Sequence, residues 1–201
     1  MLTEDDDRFE PASQVWVRYG ELTRFMESAR IALDRERALW ESTEFVSADT
    51  IRLKSPSISG NEYRVRIDQH VAAVSDAETL SGLVLLGSCA AAEELARIAL
   101  GRSRLPQGGV EAWGAEALAL QATTLSAVKG GSAAIVSAYV VRNAVAHGMP
   151  RWTPEMVARV SEAAGSPPEV GARVFVARDL EAYRTALRSF MRLTGLTTSP
   201  Y

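Results

Sequence analysis

The chain has 201 residues, 47% of them hydrophobic and 23% charged, with a formal net charge of −3. That length and apolar fraction suit one domain, or one with a small appendage, and exclude a disordered chain. A single Cys excludes an internal disulfide framework and a Cys-rich zinc site, two His leave few places for imidazole chemistry, and the net charge speaks against a strongly basic nucleic-acid binder.

The charge is unevenly placed. Residues 1–12 carry Glu4, Asp5, Asp6, Asp7 and Glu10 against Arg8, a net of −4, so the other 189 residues sum to +1. From Arg142 onward eight Arg face five acids. The expectation is an acidic, disorder-leaning tail over 1–12 on a single Arg-bearing helical domain over 13–201. The acidic first residues are the reverse of a signal peptide's basic start. The longest apolar stretches, Gly82–Ala92 and Ala133–Val141, fall short of the ~20 residues that span a bilayer. A cytoplasmic protein that does not enter a membrane is expected.

A long helix is predicted over Gln14–Ser42, with Ser13 as N-cap. Its apolar stripe is Val15, Tyr19, Leu22, Met26, Ala29, Leu33 and Trp40. Residues 45–75 read two ways. Ile51 and Leu53 alternate with Arg52 and Lys54, and Tyr63, Val65 and Ile67 alternate with Arg64 and Arg66, across a turn-rich 55–61. That pattern suggests a small hairpin, and a loop running into a helix near 68–74 is the competing reading. A second long helix covers Asp76–Leu100, with Leu80, Val84, Gly87, Ala91, Leu95 and Ile98 on its inner face and a stop at Gly101.

A helix near Val110–Val128 follows the loop 103–109. Gly130-Gly131 then breaks the chain, Ser132 can cap, Ala133–His147 is helical, and Gly148 and Pro150 end it. Thr153-Pro154 starts a short helix to about Ala164. Val174–Val176 suggests a short strand, and Asp179–Leu193 a last helix with Leu180, Tyr183, Leu187, Phe190 and Met191 inward. The sum is an all-α bundle of five or six helices with room for a small β appendage.

One segment carries chemistry. Tyr139–Gly148 sets Arg142, Asn143 and His147 at the end of an otherwise apolar helix. An unpaired buried Arg or His is expensive, so these residues need a structural or functional reason. Asn143 and His147 are four apart and share a face, while Arg142 is about 140° around from His147. A guanidinium, an amide and an imidazole suit phosphate-ester work: Arg binds the anion and steadies developing charge, and His moves protons. The bland alternative is that Arg and His merely cap the helix's last carbonyls.

The stretch "VVRNAVAHG" resembles the signature of HEPN domains: Arg, a polar residue that is often Asn, then His at a helix end. The earlier helix "SCAAAEELARIAL" resembles the family too, and the likeness runs loosely over Leu80–Leu193. It implies a HEPN-like bundle and a metal-independent endoribonuclease of the kind found in toxin–antitoxin and phage-defence systems. In such an enzyme the ribose 2′-OH attacks the neighbouring phosphodiester. It implies no cofactor and no metal. It implies a homodimer whose two motifs line one cleft, with RNA as substrate and an antitoxin or other protein as possible partner. On that reading Arg142, Asn143 and His147 are catalytic. An acidic residue of the earlier helix, Glu93 or Glu94, supports them. Other members are non-catalytic modules that bind a protein partner or a nucleotide, and this is the alternative.

The remaining candidates read as structure. Glu94 is expected at the flank of the inner face, and Glu93 on the far face, paired with Arg97. His70 has no metal-ligand partner at useful spacing and is expected as a surface or half-buried His, and Cys89 is a small buried hydrophobe. Arg64 with Arg66, and Arg184 with Arg188 and Arg192, read as solvated faces that could also border an RNA groove.

Overall fold

The computed structural model describes residues 6–42, 51–56, 60, 62–163 and 168–197. Among them are seven α-helices and one two-stranded sheet: α1 (Phe9–Glu41), β1 (Arg52–Pro56), β2 (Glu62–Arg66), α2 (Ile67–Val74), α3 (Ala77–Ala99), α4 (Gly109–Ala119), α5 (Gly131–Ala146), α6 (Pro154–Ala163) and α7 (Leu180–Leu193). The protein is mostly helical, as expected, with seven helices in place of five or six. It divides into two compact units, residues 1–23 with 81–201, and residues 24–80.

In the larger unit α1 starts at Phe9, before the expected Gln14, so Ser13 is not its cap. The Phe9 N–H donates to the Asp6 carbonyl at 2.8 Å, and the Arg8 N–H to Asp6 Oδ1 at 2.9 Å. Pro11 lies in the first turn, where its missing donor costs nothing. The stretch expected as a tail therefore enters the fold from Phe9 onward, and Ala12 is wholly buried. Residues 1–5 lie outside the described part. Asp6 is held near pKa 2, well below the usual carboxylate range, by its hydrogen bonds from Arg8.

α5 is the hub. It packs against α4, α6, α7 and the short 3₁₀ turn Leu125–Ala127. Ile135, Val136, Ala138, Tyr139, Val140, Val141 and Ala144 on it are buried. Trp113 of α4 meets Tyr139 edge-on, centroids 5.3 Å apart, and Phe190 of α7 edge-on at 5.8 Å. Such pairs add to the area the three rings bury. α7 turns Leu180, Tyr183, Leu187, Phe190 and Met191 inward as predicted.

Arg184 corrects the expected solvated face: it is 2% exposed. Its guanidinium lies 5.2 Å over the Tyr19 ring and donates through Nη2 to Thr23 Oγ1 at 2.5 Å, while Tyr19 donates its hydroxyl to the Arg184 carbonyl at 3.3 Å. A planar cation can stack on a ring and hydrogen-bond at once, which makes its burial tolerable.

Other departures have local causes. α4 ends at Ala119, short of Val128, because Ala122 takes a left-handed φ of +51° and two Thr follow. Gly130, at φ +87°, takes the N-cap of α5 in place of Ser132. Val174–Val176 form no strand. Only Arg173 bridges, to Arg151, and the buried Val174 is tied by its N–H to the Pro150 carbonyl at 2.9 Å. α6 starts as predicted, with the Met156 N–H donating to Thr153 Oγ1 at 3.3 Å; Ala164 lies outside the described residues.

α3 is capped by Asp76, whose Oδ1 accepts from the Glu78 N–H at 3.0 Å, and Gly101 stops it at φ +61°. Its buried side is Ser81, Gly82, Val84, Leu85, Ser88, Cys89, Ala92, Leu95, Ala96, Ile98 and Ala99. The centre of that arc lies about 90° around the helix from the expected one. Among the described residues α3 alone is long and apolar enough to cross a membrane, and half of that window is buried inside the protein.

The smaller unit holds both competing elements at once: a hairpin, β1 antiparallel to β2, and then α2. Most of the intervening turn lies outside the described residues. His70 of α2 is half-buried, as expected, and its Nε2 lies 2.9 Å from Glu36 Oε1; the same oxygen accepts from Trp40 Nε1 at 2.6 Å.

Trp113→Ala removes the ring that joins α4, α5 and α7. A loss of about 3–5 kcal/mol in urea unfolding is expected; a loss below about 1 kcal/mol would place the centre of the core elsewhere.

Candidate functional site

The motif ends α5 because Gly148 can take φ +63°. The Gly148 N–H donates to the Val145 carbonyl at 3.2 Å and the Met149 N–H to the Ala144 carbonyl at 2.8 Å, the paired bonds of a Schellman stop. His147 is the C-cap residue, and its side chain is exposed. No hydrogen bond or ion pair of that imidazole is found among the described residues.

Arg142 sits one and a half turns earlier and goes the other way, to α3. Its Nη2 lies 3.4 Å from Glu93 Oε1, each side chain being 30% exposed. Its Nη1 donates to Asn143 Oδ1 at 2.9 Å. Its Nε is buried with no hydrogen-bond partner among the described residues, and so is the Ser88 hydroxyl of α3. Below the pair, Tyr139 donates its hydroxyl to the Cys89 carbonyl at 3.1 Å, pinning α5 to α3.

The floor is uncharged. Burial pushes the Cys89 thiol and the Tyr139 phenol far up, so neither ionises near neutral pH. Burial also pushes the Glu93 carboxyl up, and the Arg142 guanidinium offsets only part of that. The local field therefore comes from one cation and one reluctant anion.

Arg142, Asn143 and Glu93 come together, whereas His147 bonds to none of them. The expected roles of the two acids are exchanged. Glu94 pairs with Arg97, at 2.5 Å, and those bonds hold its carboxyl down. Glu93 faces the motif. The rotated arc of α3 explains this: on the true arc Glu93 is the nearer flank and Glu94 is farther round. Among the described residues no three His, Cys, Asp or Glu side chains gather as a metal site.

A groove of about 280 Å³ lies elsewhere in the larger unit, lined by Val15, Tyr19 and Leu22 of α1 and by Gly87, Ala90 and Ala91 of α3, with Arg18 and Glu94 beside them. It was not visible in the sequence. Within it Leu22 comes so near Gly87 that a Cβ there would meet Leu22 Cδ2 at 2.9 Å.

No protein-family model, curated protein or solved structure matches the chain. The fold defines a mostly α-helical protein, and its function has to be argued from these residues.

Because the Glu93 carboxyl is raised in the fold, the folded state holds that proton more tightly than the unfolded chain. Its stabilising effect is present at low pH and is lost as pH rises through the raised value. Glu93→Gln, which mimics the protonated acid, should match the wild type near pH 4 in urea unfolding. It should equal or exceed it by up to about 1 kcal/mol at pH 7. A variant much less stable at pH 7 than at pH 4, relative to wild type, would contradict the assignment.

Proposed function

We propose that the chain is a HEPN-like, metal-independent endoribonuclease acting as a cytoplasmic homodimer, in a setting such as toxin–antitoxin or phage defence. The observation that carries this is a helix end presenting two unlike groups: an exposed His147 imidazole with no partner among the described residues, and an Arg142 guanidinium steadied by Asn143 and Glu93. Imidazole is the side chain suited to moving protons near neutrality. A guanidinium held loosely at 3.4 Å by a carboxylate that ionises reluctantly can exchange it for a phosphate, which it binds bidentately.

The chemistry balances without a metal. The 2′ oxygen forms a bond to phosphorus and loses its proton to one base. The bond from phosphorus to the 5′ oxygen breaks, and that oxygen takes a proton from an acid. One chain offers one suitable His, so a second copy supplies the other. Asn143, bonded to Arg142, is a positioning residue.

A second reading, a non-catalytic helical module that binds a protein partner or a nucleotide, is favoured by one observation. Glu93 already faces Arg142, so the cation can be wholly structural.

Incubation of a mixed-sequence RNA with the pure protein, with and without chelator, separates the two readings. Cleavage should survive the chelator, leave cyclic phosphate ends, and fall by roughly 10²–10⁴-fold in His147→Ala. Arg142→Ala should lose a comparable factor. Undiminished cleavage by His147→Ala, or none by the wild type, rejects the nuclease.

A further inference from the structure

The hairpin of the smaller unit carries a feature that the proposed active site does not use. Its register sets Arg52 opposite Arg66 and Lys54 opposite Arg64. Partners in register, two residues apart along each strand, share one face of the ribbon. Four cations therefore stand together on one side. Leu53 and Val65, half-buried, lie on the other.

Like charges directly opposite each other weaken a strand pair. A face that merely needed wetting would do better with Thr, Gln or an Arg–Glu pair. Arg64 is bridged to Glu62 at 2.5 Å and Arg66 to Asp68 at 2.7 Å. Arg52 and Lys54 are exposed, with no ion pair among the described residues. The charge is also segregated. Residues 51–66 hold four basic residues and one acid, inside a unit (24–80) whose net charge is −2.

We propose that this ribbon face binds the phosphate backbone of single-stranded RNA, an inference that rests on the reading of the chain as an RNA-acting protein and gives that RNA a second point of contact. Cations recur every ~6.8 Å along a strand and about 5 Å across it. Such a grid meets a polymer carrying one negative charge per nucleotide. The face has no aromatic residue on which a base could stack, so the contact goes to phosphates and is independent of sequence. A-form duplex RNA, with its deep and narrow major groove, does not admit such a ribbon, whereas a single strand can lie across it.

The test measures binding of a fluorescent 20-nucleotide mixed-sequence RNA by anisotropy across a salt series. The full-length protein carries His147→Ala to suppress cleavage, with or without Arg52→Thr and Lys54→Thr together. Each lost phosphate contact on a single strand lowers the slope of log affinity against log salt by about 0.7, so the double substitution should lower it by about 1.4. Its melting temperature should stay level or rise, since two like-charge pairs are relieved. An unchanged slope overturns the proposal, as does binding of anionic phosphatidylserine vesicles or duplex DNA without binding of the RNA.

Cleavage by the otherwise wild-type protein separates the two ideas. Cleavage with an unchanged slope sinks the ribbon alone. A reduced slope without cleavage sinks the nuclease and keeps the ribbon.

Discussion

The structure turns on the burial of α5. Most of its residues from Ile135 to Ala144 face protein. A helix so placed has no free side on which to carry charge, so any polar group on it must sit near an end or bring a partner. Arg142 does both. It lies five residues before the C-cap, in the penultimate turn, and Glu93 of α3 is the partner. The position of α3 then matters twice, once for packing and once for compensating the cation. The bond from the Tyr139 hydroxyl to the Cys89 carbonyl fixes it on both counts.

The same arrangement gives the proposed chemistry its division of labour. A half-buried guanidinium held toward α3 by Asn143 and Glu93 is suited to holding an anion. An imidazole exposed at a C-cap is open to solvent, and so is suited to exchanging protons. The Schellman stop at Gly148 separates the two environments within six residues. The buried, uncharged thiol and phenol keep other nucleophiles out of play.

Much of this was legible in the chain. Punctuation placed the ends of α3, α5 and α6 within a few residues, because Asp76, Gly101, Gly148 and Thr153-Pro154 act locally. Alternation found the hairpin. What failed were features set by partners far away in sequence. The inner face of α3 is apolar over much of its circumference, so its composition could not say which arc α5 covers, and Glu93 and Glu94 were exchanged as a result. Arg184 reads as a surface residue on α7, and only the Tyr19 ring of α1 makes its burial comprehensible. Ser13 and Ser132 each looked like caps, but Asp6 and Gly130 serve instead, because a Pro in the first turn and a glycine pair both permit an earlier start.

The site depends on Glu93 and Arg142 interacting across α3 and α5. A double-mutant cycle on stability, with Glu93→Ala, Arg142→Ala and both, measures that directly. A favourable coupling of about 1 kcal/mol at neutral pH is predicted, weakening as pH falls and the Glu93 carboxyl takes up its proton. Effects that add to within about 0.3 kcal/mol at every pH would mean that the two side chains do not interact, and would contradict the account.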